Sequence, residues 1–210
     1  LQNEDVTLNA LQKGDIDVSM DSLTAAKAYA VDDNERYDGV KVSSYDSDFI
    51  TTLAFNVGKY GAFNEENMPE SYNVRRAISL AIDQQELIDS VLYGKGTRVG
   101  DGLVQETYPH ALKNADGSYR YHETDAELAN RLLDEAGYPK NSDGTRDLSF
   151  KILASTGAET LVNAIGKQLK EKLGITIVFD LAKSDYSEVI KQSNGADFDM
   201  IINSVTFSPD

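Results

Sequence analysis

The stretch LSFKILASTGAETLVNAIGKQLKEKLGITIVFDL, residues 148–181, decides the fold. Its ends, LSFKIL (148–153) and ITIVFDL (175–181), alternate apolar and polar residues in period two and are enriched in β-branched side chains, as strands are. Between them the period changes. Leu161, Val162, Ala164, Ile165, Leu169 and Leu173 fall on one helical face, Thr156 and Glu159 have the spacing of a capping box, and Gly174 suits the position just past a helix end. Strand, helix and strand in so short a span form a βαβ unit, whose right-handed crossover makes the strands parallel.

Downstream, Ser184 is placed to cap a short helix carrying Tyr186, Val189 and Ile190, Gly195 follows, and FDMII (198–202) reads as a third strand. The expected series is βαβαβ over 148–204, an α/β fold with its sheet flanked by helices. In open α/β sheets ligands sit beyond the carboxyl ends of the strands, close to helix N-termini. That rule gathers Ser155, Thr156, Ser184 and the run Asn203, Ser204, Val205, Thr206, Phe207 and Ser208 at one rim.

Upstream, TDAELANRLLDEAGYP (124–139) predicts a helix opened by a Thr124–Glu127 capping box, burying Leu128, Leu132, Leu133 and Ala136, and stopping at Gly137. VRRAISLAIDQQELIDSVLYGKG (74–96) places Val74, Ala77, Ile78, Ala81, Ile88, Val91 and Leu92 on one face, interrupted by Asp83. An Asp followed three residues later by Glu86 has the form of a fresh N-cap, so two helices are expected to meet there, the second ending by Gly94. The first fifty-odd residues predict a helix ending at Gly14, a brief strand DIDV (15–18), an Ala-rich helix near 23–31, and strands near 40–45 and 49–57. Turn-rich connectors at 114–121 and 141–147 each hold an Asp-Gly pair.

Composition excludes several classes. With 40% hydrophobic residues the chain can bury a core, and its formal net charge of −15 opposes a nucleic-acid or anionic-membrane surface. No stretch has the length of a membrane span, and LQNEDVTLNA at the start has neither the basic nor the apolar part of an export signal. Without cysteine there is no thiolate metal site, thiol catalysis or disulfide. His110 and His122 lie in a polar region without a carboxylate at ligand spacing and read as surface residues, so no metal and no cofactor is expected. Gly94, Gly96, Gly100 and Gly102 follow a helix rather than a strand and miss the dinucleotide-loop spacing, and no GxSxG, P-loop or HExxH motif occurs.

Taken in order, VRRAISLAIDQQELIDSVLYGKGTRV, AELANRLLDEAGYPKNSDG, KQLKEKLGITIVFDL and DFDMII resemble the family 5 extracellular solute-binding proteins of ABC transporters, which include oligopeptide- and dipeptide-binding proteins. ALQKGDIDV and TTLAFNV also look like that family's path from its first lobe into its second. The resemblance implies a periplasmic-binding-protein-like (type II) lobe with a mixed sheet. On this reading residues 1–50 lead in from the first lobe, 51–205 form the carboxyl-terminal ligand-binding lobe, and 206–210 begin a return that stops at the cleft. It implies a non-enzymatic, extracytoplasmic binding component that hands a small solute, most naturally a peptide, to ABC permease subunits. Membrane association would come only through a lipid anchor outside these residues.

The family's cleft is lined by the loop after the FDM strand, where a tryptophan and an acidic residue are usual. By simple spacing these positions are Val205 and Ser208, a replacement that weakens the case for pairing with a peptide amino terminus, unless a shifted loop brings in Asp210. On the crossing strand the corresponding cleft positions are Thr52 and Ala54. Two other readings are kept: a small α/β enzyme at the strand-end rim, using Asp180 or Asp185 with Ser155, and a surface receptor that signals or adheres without transport.

Overall fold

In a computed structural model of the chain, residues 3–20, 22–32, 37–45, 47–58, 61–182 and 198–206 are described. The chain divides into two compact units, Leu1–Ser47 with Ile88–Thr97 and Asp48–Leu87 with Arg98–Asp210.

The first unit holds helices α1 (Glu4–Lys13) and α2 (Ala25–Asp32). Asn3 caps α1 through its side-chain oxygen, which accepts from Asp5 N at 2.9 Å, and Gly14 closes it in the left-handed region at φ 74°. The expected strand at 15–18 is absent. Asp15 N donates to Ala10 O at 2.9 Å, so the start of DIDV is consumed in the helix C-cap. Residues 40–45 are not a strand either: Val40 and Val42 alternate because they pack on buried Leu8, Val31 and Tyr37, and one-sided burial produces the same period as a sheet.

The second unit is built on a four-stranded mixed sheet in the order β1-β4-β2-β3, with β1 Phe49–Phe55, β2 Ser149–Ser155, β3 Thr176–Ala182 and β4 Met200–Thr206. β2 runs parallel to both β3 and β4, and β1 is antiparallel to β4. The first βαβ unit is as expected, and the helix expected after Ser184 lies outside the described residues. α6 (Glu159–Leu173) makes the crossover and packs, with α3 (Ser71–Ala81) and α5 (Ala126–Glu135), on one sheet face. Val74, Ile78, Leu133, Ile152, Leu169 and Met200 are fully buried there, each worth about 1.5–3 kcal/mol of apolar transfer. Phe63 stacks on Phe150 with centroids 4.7 Å apart. Gly166 is small for a reason: a Cβ there would lie 3.2 Å from the Phe179 ring.

The helix caps show where local spacing misled. Asp83 does cap α4 (Gln84–Val91), accepting from Glu86 N at 3.1 Å. The reciprocal bond is not made by Glu86: Asp83 N donates to Gln168 Oε1 at 2.7 Å, and Gln168 Nε2 donates to Glu86 Oε2 at 3.0 Å. α5 is capped by Asp125 rather than Thr124, through Leu128 N at 2.8 Å, because Asp125 N is already anchored on Leu80 O. α6 has no side-chain cap, since a 3-10 turn over Thr156–Ala158 precedes it and Glu159 N bonds Thr156 O.

One buried cation ties these helices to the sheet. The Arg146 side chain is 1% exposed. Its Nε donates to Leu173 O (2.9 Å), Nη1 to Asp134 Oδ1 (2.6 Å) and to Tyr138 O, and Nη2 to Asn130 Oδ1 (2.9 Å) and Asn130 O (3.5 Å). The guanidinium has five N–H groups and all are used. Arg146→Met should therefore destabilise the second unit by about 3 kcal/mol or more, because carbonyls and a carboxylate lose their donor at once. Arg146→Lys should recover only part of this; urea unfolding of the three proteins checks both.

The connectors with Asp-Gly pairs are two copies of one turn. Asn114 Nδ2 donates to Ser118 Oγ and Asn141 Nδ2 to Thr145 Oγ1, while Asp116 and Asp143 accept from the backbone N–H and the hydroxyl of Ser118 and Thr145 respectively. Hydrogen bonds from those hydroxyls, and then from those amides, hold both carboxyls below the ordinary Asp value of 3.8. A depressed folded value means the turns' contribution is complete above the unfolded value and is lost as pH falls through the lower, folded one. Carbon-detected titration should place both midpoints below 3.8, with Ser118→Ala and Thr145→Val each raising its own Asp alone.

Candidate functional site

β4 is the strand on which the sequence-predicted site rests. It leaves the sheet at its carboxyl end beside the end of β2, and because β1 is antiparallel, Phe49 at the start of β1 faces Thr206. The register pairs Ile50 with Val205, Thr51 with Ser204, Thr52 with Asn203, Leu53 with Ile202 and Ala54 with Ile201. Opposed residues of an antiparallel pair share a face, and successive residues alternate. Leu53, Phe55, Met200 and Ile202 pack into the main core, so Thr52, Ala54, Asn203 and Val205 lie together on the opposite face.

The expected site residues therefore divide. Asn203, Val205, Thr52 and Ala54 form one contiguous patch with Ile50 and Ile201, whereas Ser204 and Thr206 lie on the helix-side face, exposed beyond its packed part. Phe207, Ser208 and Asp210 lie outside the described residues, as do Ser184, Asp185 and the Asp180 side chain. Ala54 is exposed, and Thr52, Asn203 and Val205 are half-buried. Thr52 Oγ1 donates to Asn203 O at 3.2 Å, Asn203 Oδ1 accepts from Ser204 N at 2.9 Å, and Thr51 and Ser204 hydroxyls meet at 3.5 Å.

Neither FITTLAF nor MIINSVT contains an ionisable side chain. The patch offers amide, hydroxyl and backbone groups with apolar neighbours, which suits holding a neutral portion of a ligand and provides no acid or base. Ser155, at the end of β2, makes no capping bond to the turn after it.

The rim has a member that sequence spacing did not indicate. Tyr108 OH donates to Asp48 Oδ1 at 2.9 Å, bringing the long 98–123 segment to the start of β1. That hydrogen bond first, then desolvation and the Asp48 charge, raise the Tyr108 pKa above its ordinary value. The partners are 60 residues apart, so only tertiary structure unites them.

A second constellation resembles a nucleophilic triad: Ser79 Oγ lies 3.4 Å from His122 Nε2, and His122 Nδ1 is 3.1 Å from Asp101 Oδ1. Nε2 is closer to Ser79 O, at 3.0 Å, and is engaged by that carbonyl. The group is a clamp between α3 and the 98–123 segment. His122 is thus not the surface residue expected, its side chain being 18% exposed, whereas His110 is exposed. Among the described residues no three His, Cys, Asp or Glu side chains converge to hold a metal, and no helix is long and apolar enough to cross a membrane.

Comparison with known proteins places this architecture. The family model "Bacterial extracellular solute-binding proteins, family 5 Middle" matches residues 1–210, and the chain belongs to that family. It is similar to heme-binding protein A of Haemophilus influenzae, 36% identical over 81 residues, 38% of this chain and 14% of that one. It is also similar to di/tripeptide-binding protein 1 of Pseudomonas aeruginosa, 27% identical over 156 residues, 70% of this chain and 26% of that one. The oligopeptide-binding protein AppA of Bacillus subtilis, solved with a nonapeptide, superposes with a TM-score of 0.69 at 21% identity, covering 100% of this chain and 41% of that structure. The fold is that of the type II periplasmic binding proteins. The chain spans about a quarter or less of the curated relatives it matches.

Ultraviolet titration of the tyrosines should contain a component above the ordinary value to which Tyr108, bonded to Asp48, and Tyr121, bonded to Glu106, both contribute, and the Tyr108 share is identified by its loss in Asp48→Asn. Asp48→Asn should return it toward ordinary, since the accepting carboxylate and its charge are removed together.

Proposed function

We propose that this chain, as a member of the family 5 extracellular solute-binding proteins, supplies part of the substrate-binding component of an ABC importer. Asn203, Val205, Thr52 and Ala54 line one wall of a cleft that closes on a small solute, with a peptide as the leading class. The observation that carries the reading is the β1–β4 register, which gathers these four residues on the sheet face turned away from the helices. Ser204 and Thr206, on the other face of β4, stand apart from this wall, and the proposed ligand-binding lobe spans residues 51–205.

In this role the protein binds without chemistry, works outside the cytoplasm with permease subunits, and is held at the membrane by a lipid anchor outside these residues. The absence of charge on both strands supports a ligand gripped through its backbone or other neutral polar groups rather than through an ammonium or carboxylate. Such a grip tolerates varied side chains, as a peptide importer requires.

Native mass spectrometry of the complete gene product, purified without denaturation, tests the reading. Bound masses resolving into short peptides are the expected result; one discrete non-peptide mass would replace the solute class, and turnover of the carried molecule would overturn the binding role. Ala54→Trp, at an exposed position, should weaken capture of that solute by about tenfold or more through bulk in the cleft while leaving the thermal midpoint unchanged.

A further inference from the structure

A pocket of about 470 Å³ opens between the outer face of α3 and the 98–123 segment, and none of its lining residues lies on β1 or β4. Tyr72, Arg76 and Leu80 come from α3, and Arg120, Tyr121 and Glu123 from across the pocket. Tyr72, Arg76 and Leu80 are one helical turn apart in succession, so they form a single ridge along one wall.

The floor is fixed in advance. Asp101 is occupied on both oxygens, by Arg120 Nε at 3.4 Å and His122 Nδ1 at 3.1 Å. Arg98 donates to His122 O at 2.6 Å and sits 4.9 Å from the Tyr121 ring centroid, while Tyr121 OH is held by Glu106 at 3.1 Å. Gly100 lies tight beneath this layer: a Cβ there would come within 2.1 Å of Arg120 O, so the close approach requires glycine. With its polar floor internally satisfied, the pocket has two lining charges left over. Among the described residues neither the Arg76 guanidinium nor the Glu123 carboxylate has an ion pair or hydrogen bond, and both are exposed.

One cation, one anion and walls of two phenol rings and a leucine form a complementary set. We propose that this pocket is a second binding site, for a small zwitterion of the α-amino-acid type: its carboxylate pairs with Arg76, its ammonium with Glu123, and its side chain lies between Tyr72, Leu80 and Tyr121. A planar guanidinium fits a carboxylate bidentately, and Glu123 accepts from an ammonium as a charge-assisted partner. The order already present in the floor reduces what binding must immobilise. The site is separate from the β1–β4 wall and does not rest on the transport reading.

The test is an NMR titration of the full chain with L-phenylalanine, hydrocinnamate and phenethylamine, read at Arg76 Nε and Glu123 Cδ. The expected result is saturable shifts at both groups with L-phenylalanine, about tenfold weaker binding of hydrocinnamate and phenethylamine, and a similar loss in Arg76→Gln and in Glu123→Gln. Both substitutions are at exposed positions, and circular dichroism of each variant should match the parent. Equal binding of hydrocinnamate, no saturable shift at millimolar L-phenylalanine, or shifts confined to β1 and β4 with Arg76 unmoved would each overturn the proposal.

Discussion

The arrangement of the second unit depends on where α6 is made to end, and Arg146 sets that point. Its buried guanidinium accounts for the last carbonyl of α6, Leu173 O, while its own amide donates to Gly174 O at 2.9 Å. Gly174 reverses the chain at φ 74°, and a Cβ there would lie 2.3 Å from Gly144 O, so the turn admits only glycine. Two residues later Thr176 N meets Leu148 O at 3.1 Å and the parallel pairing of β2 with β3 begins. Taking a guanidinium out of water costs several kcal/mol, and only complete use of its donors offsets that cost.

From β2 the constraint passes to the proposed cleft wall through hydrogen bonds rather than side-chain bulk. Asp199 fastens the start of β4: its carboxylate accepts from Lys151 N at 2.7 Å, its amide donates to Lys151 O at 3.0 Å, and its carbonyl accepts from Asn56 N at 2.7 Å. With β4 pinned there, Met200 and Ile202 must enter the core, and Ile201, Asn203 and Val205 must face away from it. A slip of one residue would bury Asn203 and expose Met200, which is 0% exposed as it stands. The position of the neutral patch therefore follows from the hydrogen-bonded anchoring of β4 at Asp199, with burial of Met200 and Ile202 on the other face holding the register.

The two strands and the α-helix between 148 and 182 were legible because each carries one undivided period, and α4's cap was legible because Asp83 has no competing capper beside it. At 124–125 two adjacent cappers compete and tertiary anchoring of the Asp125 amide chooses between them, which spacing cannot reveal. Residues 40–45 misled because their alternation records packing on buried Leu8, Val31 and Tyr37, not pairing, and DIDV misled because its start is used in the C-cap of α1 while Val18 is exposed. Asn203 could be nominated from the strand-end rule and Thr52 from the resemblance, yet their sharing a face, and the separation of Ser204 and Thr206 from them, are matters of register. Tyr108 with Asp48, and His122 with Ser79 and Asp101, join residues far apart in sequence and had no local signal.

The distribution of charge bears on how such a protein would discriminate. The chain carries 35 acidic and 20 basic residues, yet the two strands of the proposed wall carry none. Hydrogen bonds to neutral groups on an open wall replace bonds to water and net only about 0.5–1.5 kcal/mol each. Such a wall by itself cannot reject many ligands. Selectivity on the proposed reading must come from enclosure, where water is displaced and every unmatched polar group becomes costly. The neutrality of β1 and β4 then has a physical use: a fixed charge would bind its counter-ion from solvent before any cleft closed, whereas amides and hydroxyls become selective only once the ligand is desolvated.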